Sequence, residues 1–345
     1  MIEFVGLIMV LVLLAVAVLV KMSAFNRNVT NAKTAVMSKA GGAVLINVGT
    51  GPGTILQGKA AKWVDSVVRH IDITAVNTWT ALTAFGATTE GSIQVPSKAK
   101  FLTKIEISTA FDVDSTAAVY KLLSAIRLSG NGLVKGGLYK FFGQVGSHVQ
   151  VNNFSAMSKH KITTYMTRIP VSPSDKITVE GIMLAEDMGA LTIAVCLHFS
   201  ASDPGAGILD SDIRHANITA VSTPTGLNMI GADTEGSFKV PSDAQKIIGL
   251  VKAIAVDFTA GAAAQRALGA FALSGNGLAS GGMYQGITQS SAFAAQAAAG
   301  DGLGGDVEIS AVDLDVKGSD TITASGQMIG EDSGDMEFAL GILYG

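Results

Sequence analysis

The sequence repeats itself at a constant spacing of about 145 residues. The segment HIDITAV at 70–76 returns as HANITAV at 215–221, and LSGNGL at 128–133 returns at 273–278. Roughly a third of about 131 aligned positions are identical, which chance does not produce. We therefore divide the chain into two copies of one domain, at 70–200 and 215–345, joined by a linker at 201–214. Two copies with so long a period exclude a solenoid or a propeller.

Each copy is predicted to be built from strands alone. The apolar runs of the first copy are HIDITAV, GSIQV, FLTKIEISTAF, VYKLLSAIRL, GLYKFFGQV, KITTYMTRIPV, DKITVEGIML and ALTIAVCLHFS. Polar and apolar residues alternate within KIEIST at 104–109, which is typical of a sheet with one solvated face. Eight runs without a helical pattern predict an all-β fold of two tandem eight-stranded jelly-roll β-sandwich domains. An immunoglobulin-like sandwich is the alternative, but the Cys and Trp core of that fold is absent.

A long apolar run precedes the repeats. Residues 4–20 (FVGLIMVLVLLAVAVLV) contain no charged side chain, and as a helix they would extend about 26 Å, the short end of a bilayer span. We predict an N-terminal transmembrane anchor helix over 1–23, in preference to a buried core helix, because the run has no polar face. The residues predicted to anchor it in lipid are Phe4, Leu7, Ile8, Leu11, Leu13, Leu14, Val18 and Val20.

The charges on either side of this run predict its orientation. Glu3 is the only charged residue before it. The basic residues of the flank come after it, at Lys21, Arg27, Lys33 and Lys39. A secretory signal peptide has basic residues before its apolar run, and the positive-inside rule places a basic flank in the cytoplasm. We expect an uncleaved anchor that leaves the rest of the chain on the cytoplasmic side.

The segment 24–69 is predicted to connect the anchor to the first repeat. Apolar residues recur at helical spacing over 55–68, which predicts a short amphipathic helix there. The residues that set this spacing are Ile55, Leu56, Ala60, Trp63, Val64, Val67 and Val68. Residues 1–69 carry seven basic against two acidic side chains, a balance that suits anionic lipid headgroups.

Composition excludes several classes of function. The chain is 48% hydrophobic and 15% charged, which excludes intrinsic disorder. A net charge of −4 gives no electrostatic footprint for nucleic acid, and we predict no direct sequence-specific binding to it. A single cysteine excludes a disulfide framework and a Cys-rich zinc site. The five histidines show no ligand spacing, and we predict neither a catalytic site nor a cofactor.

Two repeated motifs are candidate binding sites. SGNGL lacks the Lys-Ser/Thr of a phosphate-binding loop, and a tight turn explains it. The acidic dipeptides Glu186-Asp187 and Glu331-Asp332 offer clustered carboxylates of the kind that hard cations bind. A polar hairpin tip is the preferred interpretation, since no further carboxylates lie beside them in sequence. We accordingly predict no metal site.

The two repeats differ in charge. The first has eleven basic against nine acidic residues, and the second has five against fourteen. Divergence of solvated surfaces is one interpretation of this difference. The other is that unlike copies lie side by side in an oligomer, where opposite potentials favour the correct neighbour.

Two tandem jelly rolls beside a membrane anchor resemble the double jelly-roll major capsid proteins of membrane-containing icosahedral viruses, the lineage of tectiviruses, corticoviruses, turriviruses and adenoviruses. The resemblance covers about 275 residues and depends on architecture rather than on a motif. It implies a structural protein, not an enzyme, that forms pseudo-hexameric homotrimers. These would tile an icosahedral shell over an internal lipid membrane in the virion, with minor capsid or vertex proteins as further partners.

Two other classes remain open from the sequence. The first is a cell-envelope or pilus-like surface protein with tandem β-sandwich domains, which would place the repeats outside the cell. The second is a membrane-tethered carbohydrate-binding or hydrolytic β-sandwich. Such a protein is expected to expose clustered aromatic side chains, whereas aromatic residues make up only 6% of this chain.

Overall fold

The computed structural model describes residues 63–84, 91–111, 119–136, 138–151, 154–155, 162–186, 190–229, 237–258, 264–294, 307–331 and 333–345. The regular elements of this part of the chain are all β-strands, so the all-β prediction is confirmed. None of these residues forms a helix long and apolar enough to cross a bilayer. The predicted anchor at 1–23 and its basic flank lie outside the described residues.

Twenty strands follow one another along the described chain. Those of the first repeat are β1 (Trp63–Ile73), β2 (Thr80–Ala81), β3 (Ser92–Gln94), β4 (Phe101–Phe111), β5 (Val119–Ser129), β6 (Tyr139–Val151), β7 (Phe154–Ser155), β8 (Thr163–Pro170), β9 (Lys176–Glu186) and β10 (Leu191–Ser200). Those of the second repeat are β11 (Asp210–Ile218), β12 (Thr225–Gly226), β13 (Asn228–Met229), β14 (Ser237–Lys239), β15 (Lys246–Phe258), β16 (Ala264–Ser274), β17 (Met283–Ala294), β18 (Glu308–Asp315), β19 (Thr321–Glu331) and β20 (Ser333–Tyr344).

These strands form four sheets, two in each repeat. In the first repeat, sheet A has the order β1-β10-β4-β8, and sheet B has the order β2-β9-β5-β6-β7 with β3 also beside β9. In the second repeat, sheet C has the order β13-β11-β20-β15-β18, and sheet D has the order β12-β19-β16-β17 with β14 also beside β19. Each repeat is thus a sandwich of two sheets, which we call the first and the second sandwich.

The two sandwiches share one hydrogen-bonding register. In sheet A, Cys196 on β10 lies opposite Glu106 on β4. In sheet C, Gly341 on β20 lies opposite Val251 on β15. Each residue of the second pair is 145 positions after its counterpart in the first pair. The sequence repeat therefore relates the two structures residue by residue, and positions 145 apart can be compared directly.

Strand alternation builds the interior of each sandwich. On β10, Ile193, Val195 and Leu197 are fully buried in the first core, and the residues between them face away from it. The rings of Phe141 and Tyr165 join sheets B and A across this core, with centroids 4.9 Å apart. Burial of a large apolar side chain stabilises the fold by about 1.5–3 kcal/mol, so these alternate positions dominate folding.

The amphipathic helix predicted over 55–68 is wrong for its described part, because residues from Trp63 onward lie in β1. This strand pairs antiparallel with β10 from Trp63 opposite Ser200 to Ile73 opposite Leu191. Val67 and Ile71, side chains of β1, pack against the first core. A short apolar run fits helical and strand spacing equally well, and the long pairing with β10 decides in favour of the strand. Residues 55–62 lie outside the described part.

Candidate self-assembly interface

The two sandwiches contact each other through one sheet from each. The outer face of sheet B packs against the outer face of sheet C, and Phe142 on β6 is only 1% exposed as a result. Six residues of sheet C belong to the same apolar cluster as the first core: Ile213, Val251, Ala253, Ile309, Ala339 and Leu343. The contact is therefore an apolar interior shared by the two repeats.

Gly341 allows this close approach of the two sheets. A Cβ atom at this position would lie 2.9 Å from the Cβ of Val251 and 3.2 Å from the ring of Phe142. A side chain at 341 would push the aromatic ring out of the contact. The pair of Gly341 and Phe142 thus marks the centre of the interface.

A buried ionic network lies at the edge of this contact. The Lys140 ammonium on β6 donates a hydrogen bond to Oδ1 of Asp212 on β11, at 3.0 Å. Arg214 donates to the other carboxylate oxygen from Nε at 2.8 Å, and Nη2 lies 2.7 Å from it. The Arg214 guanidinium also stacks over the Phe238 ring at 4.6 Å. The side chains of Lys140 and Arg214 are each 6% exposed, so Asp212 balances two buried cations.

Further polar groups surround this network. Burial raises the pKa of Asp210 to about 6, with a smaller contribution from the nearby Asp212 carboxylate. Burial also raises the pKa of the Tyr139 and Tyr344 hydroxyls. Within the described residues, neither buried hydroxyl has a hydrogen-bond partner. The Ser211 hydroxyl and Nη1 of Arg214 are likewise buried without a partner among the described residues, so the junction combines an ionic network with several unpaired polar atoms.

The outer face of sheet D is equivalent to the outer face of sheet B. Within the described chain, the face of sheet B is covered by sheet C, whereas the face of sheet D is exposed. Ile287, the equivalent of the buried Phe142, is 61% exposed. Met283 is also 61% exposed, and Ile329 is 43% exposed. Between them runs a shallow groove whose lining includes Pro224, Ala270, Ala272, Gln285 and Gln327. The contrast with sheet B is at Ile287, since Leu138, the equivalent of Met283, is itself 51% exposed.

The outer face of sheet A is the equivalent of the covered face of sheet C. Six residues of sheet C were given above as part of the shared apolar cluster. The residues 145 positions before them, on sheet A, are Val68, Glu106, Ser108, Thr164, Ala194 and His198. This face is more polar than its counterpart, and its side chains are exposed or half-buried. Within the described chain, the outer faces of sheets B and C therefore cover each other, whereas the equivalent faces of sheets D and A are uncovered.

The acidic dipeptides named above as candidate metal ligands lie where strands end. Glu186 is the last residue of β9, and Glu331 is the last residue of β19. Asp187 and Asp332 lie outside the described residues, so the hairpin-tip interpretation stays a prediction. In the second sandwich, Nδ1 of His215 lies 2.8 Å from a carboxylate oxygen of Glu337.

The structure also brings together three residues that no sequence motif connects. Glu106, Cys196 and His198 lie side by side on the outer face of sheet A. The available signal was the spacing of two between Cys196 and His198 inside an apolar strand, which places both on one face. The third residue is 90 positions before Cys196 in the sequence, and only the strand pairing identifies it.

The sequence matches no protein-family model and no curated protein. Among solved structures, the glycosylasparaginase PNGase F from Flavobacterium meningosepticum is similar over 80% of this chain and 96% of its own, at 12% identity and a TM-score of 0.32. The major capsid protein P2 from bacteriophage PM2 is similar over 81% of this chain and 98% of its own, at 7% identity and a TM-score of 0.24. A tandem CBM22 domain of Xyn10C from Paenibacillus barcinonensis is similar over 88% of this chain and 96% of its own, at 9% identity and a TM-score of 0.20. Scores this low assign neither a family nor an activity.

Proposed function

We propose that the chain is a structural subunit that assembles with copies of itself, as the major capsid protein of a virus with an internal membrane. Each repeat is a jelly roll in this proposal. With β2 and β3 counted as one strand and β7 omitted, sheet A takes strands 1, 8, 3 and 6 of the first repeat, and sheet B takes strands 2, 7, 4 and 5. This interleaving of early and late strands supports two wound Greek keys. The chain has no catalytic role.

The observation that carries the proposal is the contrast between Phe142 and Ile287. These equivalent residues are 1% and 61% exposed, respectively. Within one chain, sheet C covers sheet B, whereas sheet D has no counterpart among the described residues. A second copy supplies that counterpart, because its sheet A is the equivalent of sheet C.

This contact is head-to-tail and repeats from chain to chain. Head-to-tail contacts close into a ring when their rotation permits, and otherwise form a filament. The proposed ring has six sandwiches from three chains, which gives a homotrimer of nearly sixfold shape. In such a ring every contact joins a first repeat to a second repeat, and the net positive charge of the first and the net negative charge of the second favour this alternation.

The proposal places the trimer on a membrane. Residues 1–23 anchor each chain, and the basic flank from Lys21 to Lys39 keeps the repeats on the cytoplasmic side of the host membrane during assembly. The finished shell then surrounds an internal lipid membrane in the virion. Its partners are further trimers, lipid, and minor capsid or vertex proteins.

The assembly is tested on the full chain in mild detergent, by light scattering after gel filtration and by negative-stain imaging. We expect homotrimers with six lobes. Ile287→Asp is expected to give monomers, because the proposed contact would take a carboxylate out of water at the position of an apolar side chain. Val134→Asp is the matched control and is expected to leave the trimer intact, since Val134 is 57% exposed and lies in the turn after β5. A monomeric full-length protein would contradict the proposal.

The membrane role needs a separate experiment. Deletion of residues 1–21 is expected to abolish flotation with vesicles while the trimer persists. Protease treatment of intact cells tests the side of the membrane. Protected repeats agree with the proposal, whereas digestion of the repeats would favour the alternative of a cell-envelope or pilus-like surface protein.

A further inference from the structure

Three side chains with metal-ligating atoms meet on the outer face of sheet A. Cys196 and His198 stand two residues apart on β10, so both point to the same side of the sheet. Glu106 on β4 lies directly opposite Cys196. In the part of the chain that the structure describes, no other three His, Cys, Asp or Glu side chains come this close together.

We propose that Glu106, Cys196 and His198 bind one Zn²⁺ ion per chain, with water at the fourth coordination position. Thiolate, imidazole and carboxylate are the ligands that zinc prefers in proteins. All three come from one sandwich, so the site does not depend on the proposed assembly. It lies on the face that a neighbouring chain would cover in the trimer.

The distances suit a tetrahedral ion. The Sγ atom of Cys196 lies 3.3 Å from Nε2 of His198, and this Nε2 lies 2.7 Å from Oε2 of Glu106. Zinc bond lengths of about 2.0–2.3 Å place neighbouring tetrahedral ligands about 3.3–3.7 Å apart. The sulfur and nitrogen are already at that separation. The nitrogen and carboxylate must separate by about 0.6 Å or slightly more, which small side-chain rotations allow.

The same geometry argues against a nucleophilic triad. In a Cys-His-acid triad, the imidazole contacts the nucleophile through one nitrogen and the acid through the other. Here Nε2 of His198 faces both the thiol and the carboxylate. Burial, together with the Glu106 charge, raises the pKa of the Cys196 thiol, so without a cation it is a poor nucleophile. A divalent ion between the three atoms would favour the thiolate.

A neighbouring lysine holds the carboxylate in place. The Lys104 ammonium donates a hydrogen bond to Oε1 of Glu106 at 2.9 Å, which leaves Oε2 for the ion. Burial disfavours the charged form of Glu106, but hydrogen bonds from Lys104 and His198 outweigh burial and hold its pKa below the usual value. Lys104 thus fixes the carboxylate with Oε2 toward the other two ligand atoms.

The second sandwich has no equivalent site. The positions 145 residues after Glu106, Cys196 and His198 are occupied by Val251, Gly341 and Leu343. None of these side chains can bind a metal, and Val251 and Leu343 are buried in the contact with the first sandwich. Of the two equivalent places in the chain, only the one in the first sandwich is thus expected to bind an ion.

Zinc binding is measured on the full chain by equilibrium dialysis and elemental analysis, and Co²⁺ serves as a spectroscopic probe. We expect one Zn²⁺ per chain, and a thiolate-to-cobalt charge-transfer band in the near ultraviolet. Cys196→Ser is expected to remove this band and to weaken zinc binding at least about 100-fold. Glu106→Gln is expected to retain the band with weaker affinity, because the sulfur ligand remains.

His215→Gln is the matched control, since His215 forms a histidine–carboxylate pair with Glu337 but has no cysteine beside it. Zinc stoichiometry and the cobalt band are expected to be unchanged in this variant. Circular dichroism establishes that each variant is folded. A folded wild-type chain that gives no charge-transfer band, or a Cys196→Ser variant that binds zinc as tightly as wild type, would overturn the proposal.

Discussion

Replacement of Asp212 by Asn is expected to destabilise the junction between the sandwiches far more than replacement of Lys140 by Met. Asp212 is the carboxylate that contacts both the Lys140 and the Arg214 cations, and Asp210 is a second carboxyl group close enough to interact electrostatically with Lys140. Asn at this position would remove the only carboxylate that contacts the two buried cations, and Lys140 would keep only the more distant Asp210 as a counter-charge. Removal of one partner from a buried ion pair costs about 3–5 kcal/mol, and we expect the lower end of this range because Asp212 is 20% exposed.

Replacement of Lys140 by Met is expected to change the free energy of unfolding much less. Asp212 keeps its two hydrogen-bonding contacts with Arg214, and the new side chain adds apolar surface to the interface. Exchange of a buried ion for an apolar group of similar volume is often nearly neutral. We expect a loss of at most about 1 kcal/mol for this variant.

Urea unfolding of the full chain, followed by circular dichroism, compares the two variants. A loss of about 3 kcal/mol with a slope of about 2 kcal/mol/M lowers the urea midpoint by about 1.5 M for Asp212→Asn. The midpoint for Lys140→Met is expected to change by less than about 0.5 M. Equal midpoints for the two variants would refute the view that Asp212 is the main counter-charge of the buried cations.

Two further predictions concern buried polar groups. Tyr344→Phe is expected to leave the free energy of unfolding unchanged or to raise it by about 1 kcal/mol, because its buried hydroxyl has no partner among the described residues. Tyr165→Phe is the contrasting variant, and thermal unfolding is expected to show a loss of about 1 kcal/mol, because its hydroxyl donates to the Phe142 carbonyl at 2.9 Å. The folded-state pKa of Asp210, about 6, lies above the ordinary value of 3.8 for an aspartate, so the native state binds the extra proton and stability falls as pH rises from about 4 to 6. Urea unfolding across this range is expected to show a loss of about 2 kcal/mol in the free energy of unfolding, a value that allows for residual solvent screening. Asp210→Asn is expected to abolish this loss. A flat wild-type profile would contradict the assignment.

The strands were the most predictable part of the fold. The run FLTKIEISTAF coincides with β4, Phe101–Phe111, because alternation over eleven residues fits a half-buried strand and little else. The part of the predicted helix from Trp63 to Val68 was wrong because its apolar spacing fits both periods. Pairing with β10, more than 120 residues away, decides the structure there.

The contacts between strands were beyond single-sequence reasoning. Gly341 is required by Phe142, about 200 positions before it, and no local pattern connects them. Glu106 becomes a neighbour of Cys196 only through the register of β4 and β10. The sequence repeat supplied only the equivalence of positions 145 apart, and the exposure of Phe142 and Ile287 in the structure shows which faces are covered.

The most direct test of the proposed assembly uses the only cysteine of the chain, Cys196. Because Gly341 contacts Phe142 within one chain, the equivalent residues Cys196 and Ile287 are expected to meet between chains. Ile287→Cys, treated with a mild oxidant or a short bis-maleimide in chelator-containing buffer, is expected to give a covalent trimer on a non-reducing gel. The control Val134→Cys is expected to give none. A cross-linked trimer would place sheet D of one chain on sheet A of the next, whereas an Ile287→Cys protein that stays monomeric on the gel would contradict the central claim.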